Sequence, residues 1–177
     1  TANGGTGKGI WIRALGQMKK LVMIDGKGFN FDKSFPYQLV SADTKLLAFD
    51  DVKKYFDFER LFSLITEGIE LEKKNRDSIK VPFERSPKVI ISSNYAVKGS
   101  GSSFTRRKWE LELSQHYNLV NTPMDDLGKF LFGEEWNFKE WCYFFNYMIS
   151  NVQLYLKEGL VKSEFVNLKI RQLSAET

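Results

Sequence analysis

The sequence is poor in the residues that form covalent and metal crosslinks. It contains one cysteine, Cys142, and one histidine, His116, among 177 residues. A single cysteine excludes an internal disulfide and is typical of a reducing compartment, and the two residues together are too few for a His/Cys metal site within one chain. We interpret Cys142 as a buried, inert thiol. His116 is interpreted as structural or exposed, because no acid–base constellation surrounds it.

Long apolar runs and a strong charge bias are also missing. No run reaches the ~20 residues that a membrane-spanning helix needs, so we expect no membrane partner and a cytoplasmic location. The net charge of +4 permits a nucleic-acid partner but does not require one. What is plentiful is apolar and aromatic side chains, 42% and 15% of the chain. That content argues against disorder, and the length allows a substantial core.

The first ten residues form a glycine-rich stretch with one lysine. Its candidate phosphate-binding residues are Asn3, Gly4, Gly5, Thr6, Gly7, Lys8 and Gly9. Glycines let backbone N–H groups converge on an anion, and a helix that begins at residue 7 or 8 would direct its positive dipole end at that anion. The pattern is close to the P-loop G-x-x-x-x-G-K-[ST], with Ala2 and Gly9 as departures. The alternative is a flexible glycine-rich linker.

Two apolar runs end in polar side chains. Residues 45–51 predict a buried parallel strand that ends in Asp50 and Asp51, and residues 88–94 predict another that ends in Asn94. In open α/β sheets ligands bind at the carboxyl ends of the strands. Carboxylates there can hold Mg²⁺ or polarise a water, and an amide can orient that water. The alternatives are a helix cap for one aspartate and a turn at the asparagine.

Two basic segments accompany these strands. Residues 69–74 and 78–83 alternate apolar with polar and predict a β-hairpin with its turn at residues 75–77. Its tip carries Lys73, Lys74 and Arg76, either as protection of an exposed edge or as a contact to a nucleic-acid backbone. Arg106 and Arg107 follow the second strand, either as a solvated basic face or as an arginine finger.

The remaining patterns predict further elements. Helices are predicted over residues 8–20, 57–67, 124–132, 137–157 and about 162–172, strands over 21–24 and 109–114, and a partly buried loop over 26–38. The helix over 137–157 is rich in aromatic residues. We expect that stripe to pack against the sheet layer or a neighbouring subunit.

The order of these features resembles that of superfamily 3 helicases, which belong to the AAA+ class of P-loop ATPases. The likeness covers residues 2–118 and is closest to the poxvirus- and phage-type primase-helicase branch. It implies an α/β fold: a three-layer P-loop parallel sheet flanked by helices, lacking its first strand, in residues 1–118. A C-terminal helical extension would occupy residues 119–177.

The resemblance also implies roles. The loop from Asn3 to Lys8 would wrap the triphosphate of ATP, with Lys8 between the β- and γ-phosphates. Asp50 and Asp51 resemble the Walker B pair, with Asp50 holding Mg²⁺ and Asp51 activating water. Asn94 is similar to the sensor of the γ-phosphate. The basic residues of the hairpin tip, Lys73, Lys74 and Arg76, would contact DNA. The paired arginines, Arg106 and Arg107, would act on the nucleotide of a neighbouring subunit.

The function that this implies is an ATP-dependent DNA helicase motor of a phage or mobile-element replication protein. Such motors act as rings, commonly hexamers, on single-stranded or forked DNA, here in a bacterial or prophage setting. A P-loop normally follows a hydrophobic strand, so we expect the chain to be part of a longer protein. Two alternatives stay open: a nucleotide-kinase-like phosphotransferase, suggested by Gly7-Lys8-Gly9, and a degenerate P-loop module that binds nucleic acid or scaffolds a replisome without hydrolysis.

Overall fold

The computed structural model describes residues 5–95 and 101–161. In this part the chain is α/β, with a three-stranded parallel sheet in the order β1-β2-β5 and a separate antiparallel hairpin of β3 and β4. The strands are β1 (Leu21–Asp25), β2 (Leu46–Val52), β3 (Gly68–Lys73), β4 (Arg76–Pro82) and β5 (Lys88–Ser93). The helices are α1 (Lys8–Met18), α2 (Phe62–Thr66), α3 (Ser102–Arg107), α4 (Pro123–Leu127) and α5 (Phe138–Glu158).

The central strand β2 anchors the core. Its residues Leu47, Ala48, Phe49 and Val52 are fully buried, as expected for a parallel strand covered on both faces. Helix α1 packs on β2 and β5. The loop after β1 contributes aromatic side chains, and the ring of Phe29 meets that of Phe49 edge to face at 4.8 Å. The predicted strands over residues 21–24, 45–51 and 88–94 and the predicted partly buried loop are therefore confirmed.

The hairpin has a buried base and an exposed end. Ile69, Leu71 and Val81 belong to the core cluster, whereas residues 74–80 are exposed. Gly68 permits the sharp entry into β3, since it has φ 106° and a Cβ there would lie 2.2 Å from the Val81 carbonyl oxygen. The base of the hairpin is fixed by packing, and its end projects into solvent.

The predicted turn of this hairpin is misplaced. Lys73 pairs with Arg76, so the connection is Lys74-Asn75 rather than residues 75–77, and Arg76 opens β4. Asn75 has φ 58°, a conformation that asparagine tolerates better than most residues. The basic residues still lie at the tip.

One further predicted element is wrong, and two predicted helices differ from the structure in their bounds or type. Residues 109–114 alternate but form no strand, and no described strand lies beside them to complete a ladder of hydrogen bonds. The helix predicted over residues 124–132 ends at Leu127, because Gly128 adopts the left-handed conformation with φ 66°. The helix predicted over 57–67 begins with a 3-10 turn, Glu59–Leu61, before α2.

The long C-terminal helix α5 lies close to its predicted bounds but outside the buried core. It begins with a capping box in which Asn137 and Glu140 exchange hydrogen bonds, and none of its residues is buried. Its first turns pack on the preceding loop through a cluster of rings: Phe132, Trp136, Trp141, Phe144 and Phe145. Cys142 is half-buried rather than buried. The helix predicted over residues 162–172 lies outside the described residues.

Candidate nucleotide site at the sheet edge

The site is built where β2 loses its regular register. The pairing of β2 with β5 shifts between Phe49 and Val52, and Asp51 adopts φ 55° within this irregularity. A regular strand would direct Asp50 and Asp51 to opposite faces. The bulge lets both carboxylates engage residues at the end of β5. A non-glycine residue in this conformation carries backbone strain, which is a feature of functional sites.

Ser92 on β5 holds the two aspartates together. Its hydroxyl donates to Asp50 Oδ1 at 2.5 Å and accepts from the Asp51 backbone N–H at 2.8 Å. Ser92 is buried, with 6% of its surface exposed. One side chain thus fixes a carboxylate of the first aspartate and the strained backbone of the second.

Asn94 connects the second aspartate to the glycine-rich loop. Its Nδ2 donates to Asp51 Oδ1 at 3.0 Å, and its Oδ1 accepts from Lys8 Nζ. Lys8 and Asn94 are 86 residues apart in sequence. The fold therefore brings together three residues to which the family resemblance gives separate roles in phosphate binding, water activation and phosphate sensing.

A second lysine reaches the same carboxylate from the turn after β1. Lys27 Nζ forms an ion pair with Asp51 Oδ2, and the hydrogen bond and charge of Asp51 raise the pKa of Lys27. The sequence reasoning missed Lys27, as it missed Ser92. The available signal was Asp25-Gly26-Lys27-Gly28, a turn motif directly after an apolar strand of the same parallel sheet.

The turn that carries Lys27 is closely packed. The Asp25 carboxylate accepts from the backbone N–H groups of Lys27 and Gly28, both at 3.0 Å. The Gly26 N–H donates to the Asp50 carbonyl oxygen at 2.6 Å. A Cβ on Gly26 would lie 2.5 Å from Val52 Cγ1, so only glycine fits without displacement of a buried neighbour.

The described part of the glycine-rich loop leads directly into α1. Gly7 caps the helix with φ 85°, and Gly5 has φ 92°, conformations that favour glycine. The first turn of α1 leaves backbone N–H groups without intrahelical acceptors beside Lys8, which is the arrangement that binds anions. Gly9 lies in this turn, and Asn3 and Gly4 lie outside the described residues.

The paired arginines lie in different surroundings. Arg107 stacks its guanidinium over the Phe62 ring at 4.9 Å and donates to the Ser103 carbonyl oxygen. Arg106 is exposed and donates from Nε to the Ser102 carbonyl oxygen at 3.3 Å. Neither arginine is among the groups linked to Asp51, and the same holds for the three basic residues of the hairpin tip: Lys73, Lys74 and Arg76.

A cavity of about 430 Å³ lies along the edge of β5 that faces away from β2. In the described part of the chain, no strand pairs with that edge. Polar and charged residues, including Lys8 and Asn94, line part of the cavity, and aromatic and aliphatic side chains line other parts. The main lining groups are residues 89–94, Trp11, Phe62, Phe104, and residues 107–113.

His116 has one acidic partner, Asp126. Its Nε2 lies 2.8 Å from Asp126 Oδ2, and 60% of its side chain is exposed. The interpretation of His116 as exposed is confirmed. The pair lies on the loop before α4 and α4 itself, and neither residue is among the groups linked to Asp51.

The donor set suits a magnesium–phosphate complex better than a metal held by protein alone. Among the described residues, no three His, Cys, Asp or Glu side chains cluster as metal ligands. Asp50 and Ser92 supply oxygen ligands, which Mg²⁺ prefers, and Mg²⁺ commonly completes its shell with water and substrate phosphate. The residues present therefore fit Mg²⁺ that arrives with a nucleotide, with Asp50 as its protein ligand.

The chain matches, over residues 1–107, a family described as a family of unknown function (DUF5906). This covers more than half of the 177 residues, and the chain belongs to that family. The matched segment contains all six residues that the contacts at the sheet edge join: Lys8, Lys27, Asp50, Asp51, Ser92 and Asn94. Among curated proteins, none matches the chain. Within the described residues, none of the helices has both the length and the apolar character needed to cross a membrane.

Proposed function

We propose that the protein is an ATP-dependent DNA helicase motor of the superfamily 3 type, which hydrolyses ATP at subunit interfaces. The observation that carries this proposal is the convergence of Lys8, Asp51 and Asn94 at the carboxyl edge of a parallel sheet. A lysine at a helix start, a pair of carboxylates and an amide are the groups that P-loop hydrolysis of a nucleotide requires. They come from three separate elements and meet at one point.

Each residue has a task that its position supports. Lys8 and the N–H groups of the first turn of α1 bind the β- and γ-phosphates, which requires Lys8 to leave Asn94. Asn94 then orients the attacking water, and Asp51 accepts a hydrogen bond from that water at a carboxylate oxygen. Mg²⁺ bound through Asp50 supplies charge stabilisation for the phosphates.

The P-loop form of the fold is part of this proposal. The cavity beside β5 lies where a P-loop fold places the strand that leads into its glycine-rich loop. A strand in it would pair with the open edge of β5.

The proposed partners, DNA and a neighbouring subunit, are inferred from two basic elements outside the site: the hairpin tip and the paired arginines. The hairpin projects Lys73, Lys74 and Arg76 from a buried base, which suits contact with a DNA backbone. Arg106 is exposed and is the better placed of the two arginines to reach a nucleotide on a neighbouring subunit in a ring. Arg107 is stacked on Phe62 of its own chain, so we assign it a supporting role beside Arg106.

The test is ATP hydrolysis by the full-length protein with and without single-stranded DNA. We expect Lys8→Ala to lower turnover by about a hundredfold or more, because it removes the main charge that stabilises the phosphates. Lys19→Ala is the matched control, since Lys19 is an exposed lysine at the other end of α1.

The outcomes separate the candidate functions. Turnover in Lys8→Ala equal to that in Lys19→Ala would contradict the phosphate-site assignment. Tight ATP binding without hydrolysis by the wild-type protein would favour the scaffold module. Transfer of phosphate to a nucleoside monophosphate would favour the kinase-like enzyme.

A further inference from the structure

Lys27 lies in the turn after β1 and forms an ion pair with Asp51. The backbone of this turn is held more tightly than a surface ion pair requires. Exposed lysine–carboxylate pairs contribute little to stability, typically about 0–1 kcal/mol, and Lys27 is 64% exposed. Yet the turn that carries it depends on Gly26 and on the Asp25 carboxylate, which accepts two backbone N–H groups. The small stability contribution of the ion pair does not by itself account for a turn that holds Lys27 in this position.

The other end of the ion pair is equally constrained. Asp51 has a left-handed backbone conformation, its N–H donates to Ser92, and its Oδ1 accepts from Asn94. Lys27 takes the remaining oxygen, Oδ2. With both oxygens engaged, the plane of the carboxylate is fixed relative to Asn94.

We propose that Lys27 is a positioning residue of the nucleotide site that acts through Asp51. By holding Oδ2, it keeps Oδ1 directed at Asn94, the residue that contacts Lys8. This inference rests on the proposed function, because it assigns a partner to the carboxylate that we place beside the attacking water. In this assignment Lys27 acts on the carboxylate of Asp51 and not directly on the phosphate or the water.

A positioning role predicts a defined kinetic signature in the full-length protein. In Lys27→Ala the carboxylate can rotate, so we expect kcat to fall about tenfold while KM for ATP changes less than about threefold. Lys27→Arg keeps the charge and should restore most of kcat. Lys33→Ala, an exposed lysine in the same loop, is the matched control and should equal the wild type.

Any of three results would overturn the inference. Lys27→Ala could match Lys33→Ala, which leaves no role for the ion pair. A rise in KM at constant kcat would make Lys27 a phosphate-binding residue instead. A lower melting temperature in Lys27→Ala with no recovery of kcat in Lys27→Arg would reduce the ion pair to a structural contact.

A second measurement separates this inference from the proposed function. The side-chain amide NMR signals of Asn94 report its hydrogen bond to Asp51 without any need for turnover. We expect these signals to shift or broaden in Lys27→Ala and to stay unchanged in Lys33→Ala. If the wild type hydrolyses no nucleotide, the proposed function fails, and unchanged Asn94 signals in Lys27→Ala then refute the inference separately.

Discussion

The lysines at the sheet edge and those at the hairpin tip have the same charge in opposite settings. Lys8 and Lys27 each contact a polar group that the fold holds in place, Asn94 for one and Asp51 for the other. Among the described residues, no ion pair joins Lys73 or the other tip cations to an acidic side chain. Lys73 and Arg76 lie at the outer ends of β3 and β4, and Lys74 lies in the connection between them.

Under the proposed function, this difference fits two kinds of anion recognition by one residue type. A lysine held by fixed partners defines one point in space, which suits a single phosphate group in a reaction. Lysines without such partners at the end of a hairpin can follow a chain of regularly spaced phosphates, where position along the chain is unimportant. Changes at the sheet edge should therefore alter folding and chemistry, and changes at the tip should alter only binding.

The largest expected effect on stability is at the sheet edge. Gly26→Ala places a Cβ 2.5 Å from Val52 Cγ1 and 2.7 Å from the Asp50 carbonyl oxygen, so we expect a loss of about 3 kcal/mol in the free energy of unfolding. Urea denaturation measures it. Gly9→Ala is the control, because a Cβ there meets nothing within 4 Å and alanine favours the helix by about 0.5–1 kcal/mol. Equal midpoints for wild type and Gly26→Ala would show that the turn is not tightly packed.

An intermediate effect is expected at the tip, on binding alone. Lys73→Ala with Lys74→Ala should weaken single-stranded DNA binding and reduce the slope of log affinity against log salt by about 1.4, since each neutralised phosphate contributes about 0.7. The unfolding midpoint should stay unchanged. Lys19→Ala with Lys33→Ala removes the same charge elsewhere and should leave the slope near that of the wild type. The same slope in both double variants would exclude the hairpin as the DNA contact.

The smallest effect is expected for an ion pair outside both regions. Lys20 Nζ donates to Asp43 Oδ2 at 2.6 Å, and this contact is the main reason that the pKa of Asp43 falls from 3.8 to about 2. A lowered pKa in the folded state stabilises the fold above the unfolded value, and this contribution disappears as the pH falls through the folded value.

Asp43→Asn tests this pH dependence. Its unfolding midpoint should lie slightly below that of the wild type at neutral pH, and the two should converge between about pH 4 and pH 2. Thermal unfolding across this range measures the difference. A constant difference down to pH 2 would show that the ionised carboxylate has no part in it.

The parallel strands were predictable because each is an apolar run with polar residues at its end. In β2 the buried residues Leu47, Ala48 and Phe49 precede Asp50 directly, and that pattern alone indicated both the strand and the edge of the sheet. Contiguous burial and strand-end polarity are local properties of the sequence. The placement of Asn94 beside Asp51 followed from them, because neighbouring parallel strands end at one edge.

The part of the site that sequence reasoning missed depends on register and backbone conformation. Lys27 meets Asp51 because Asp25 pairs with Asp50 and because Asp51 departs from regular strand geometry. Neither property is visible in residue order. The wrong prediction for residues 109–114 has the same origin. Alternating apolar and polar residues suit a β-strand, but this pattern does not show whether another strand lies next to them.

The left-handed backbone at residue 51 decides which substitution can be used as a chemical probe of the second carboxylate. Alanine disfavours a φ of 55°, so Asp51→Ala is expected to change the backbone conformation at the end of β2 as well as the charge. Asparagine adopts this conformation readily and keeps an oxygen and a nitrogen in place of the carboxylate oxygens. Asp51→Asn is therefore the variant in which a lost activity can be attributed to the missing negative charge, and the Asp51→Ala phenotype combines two causes.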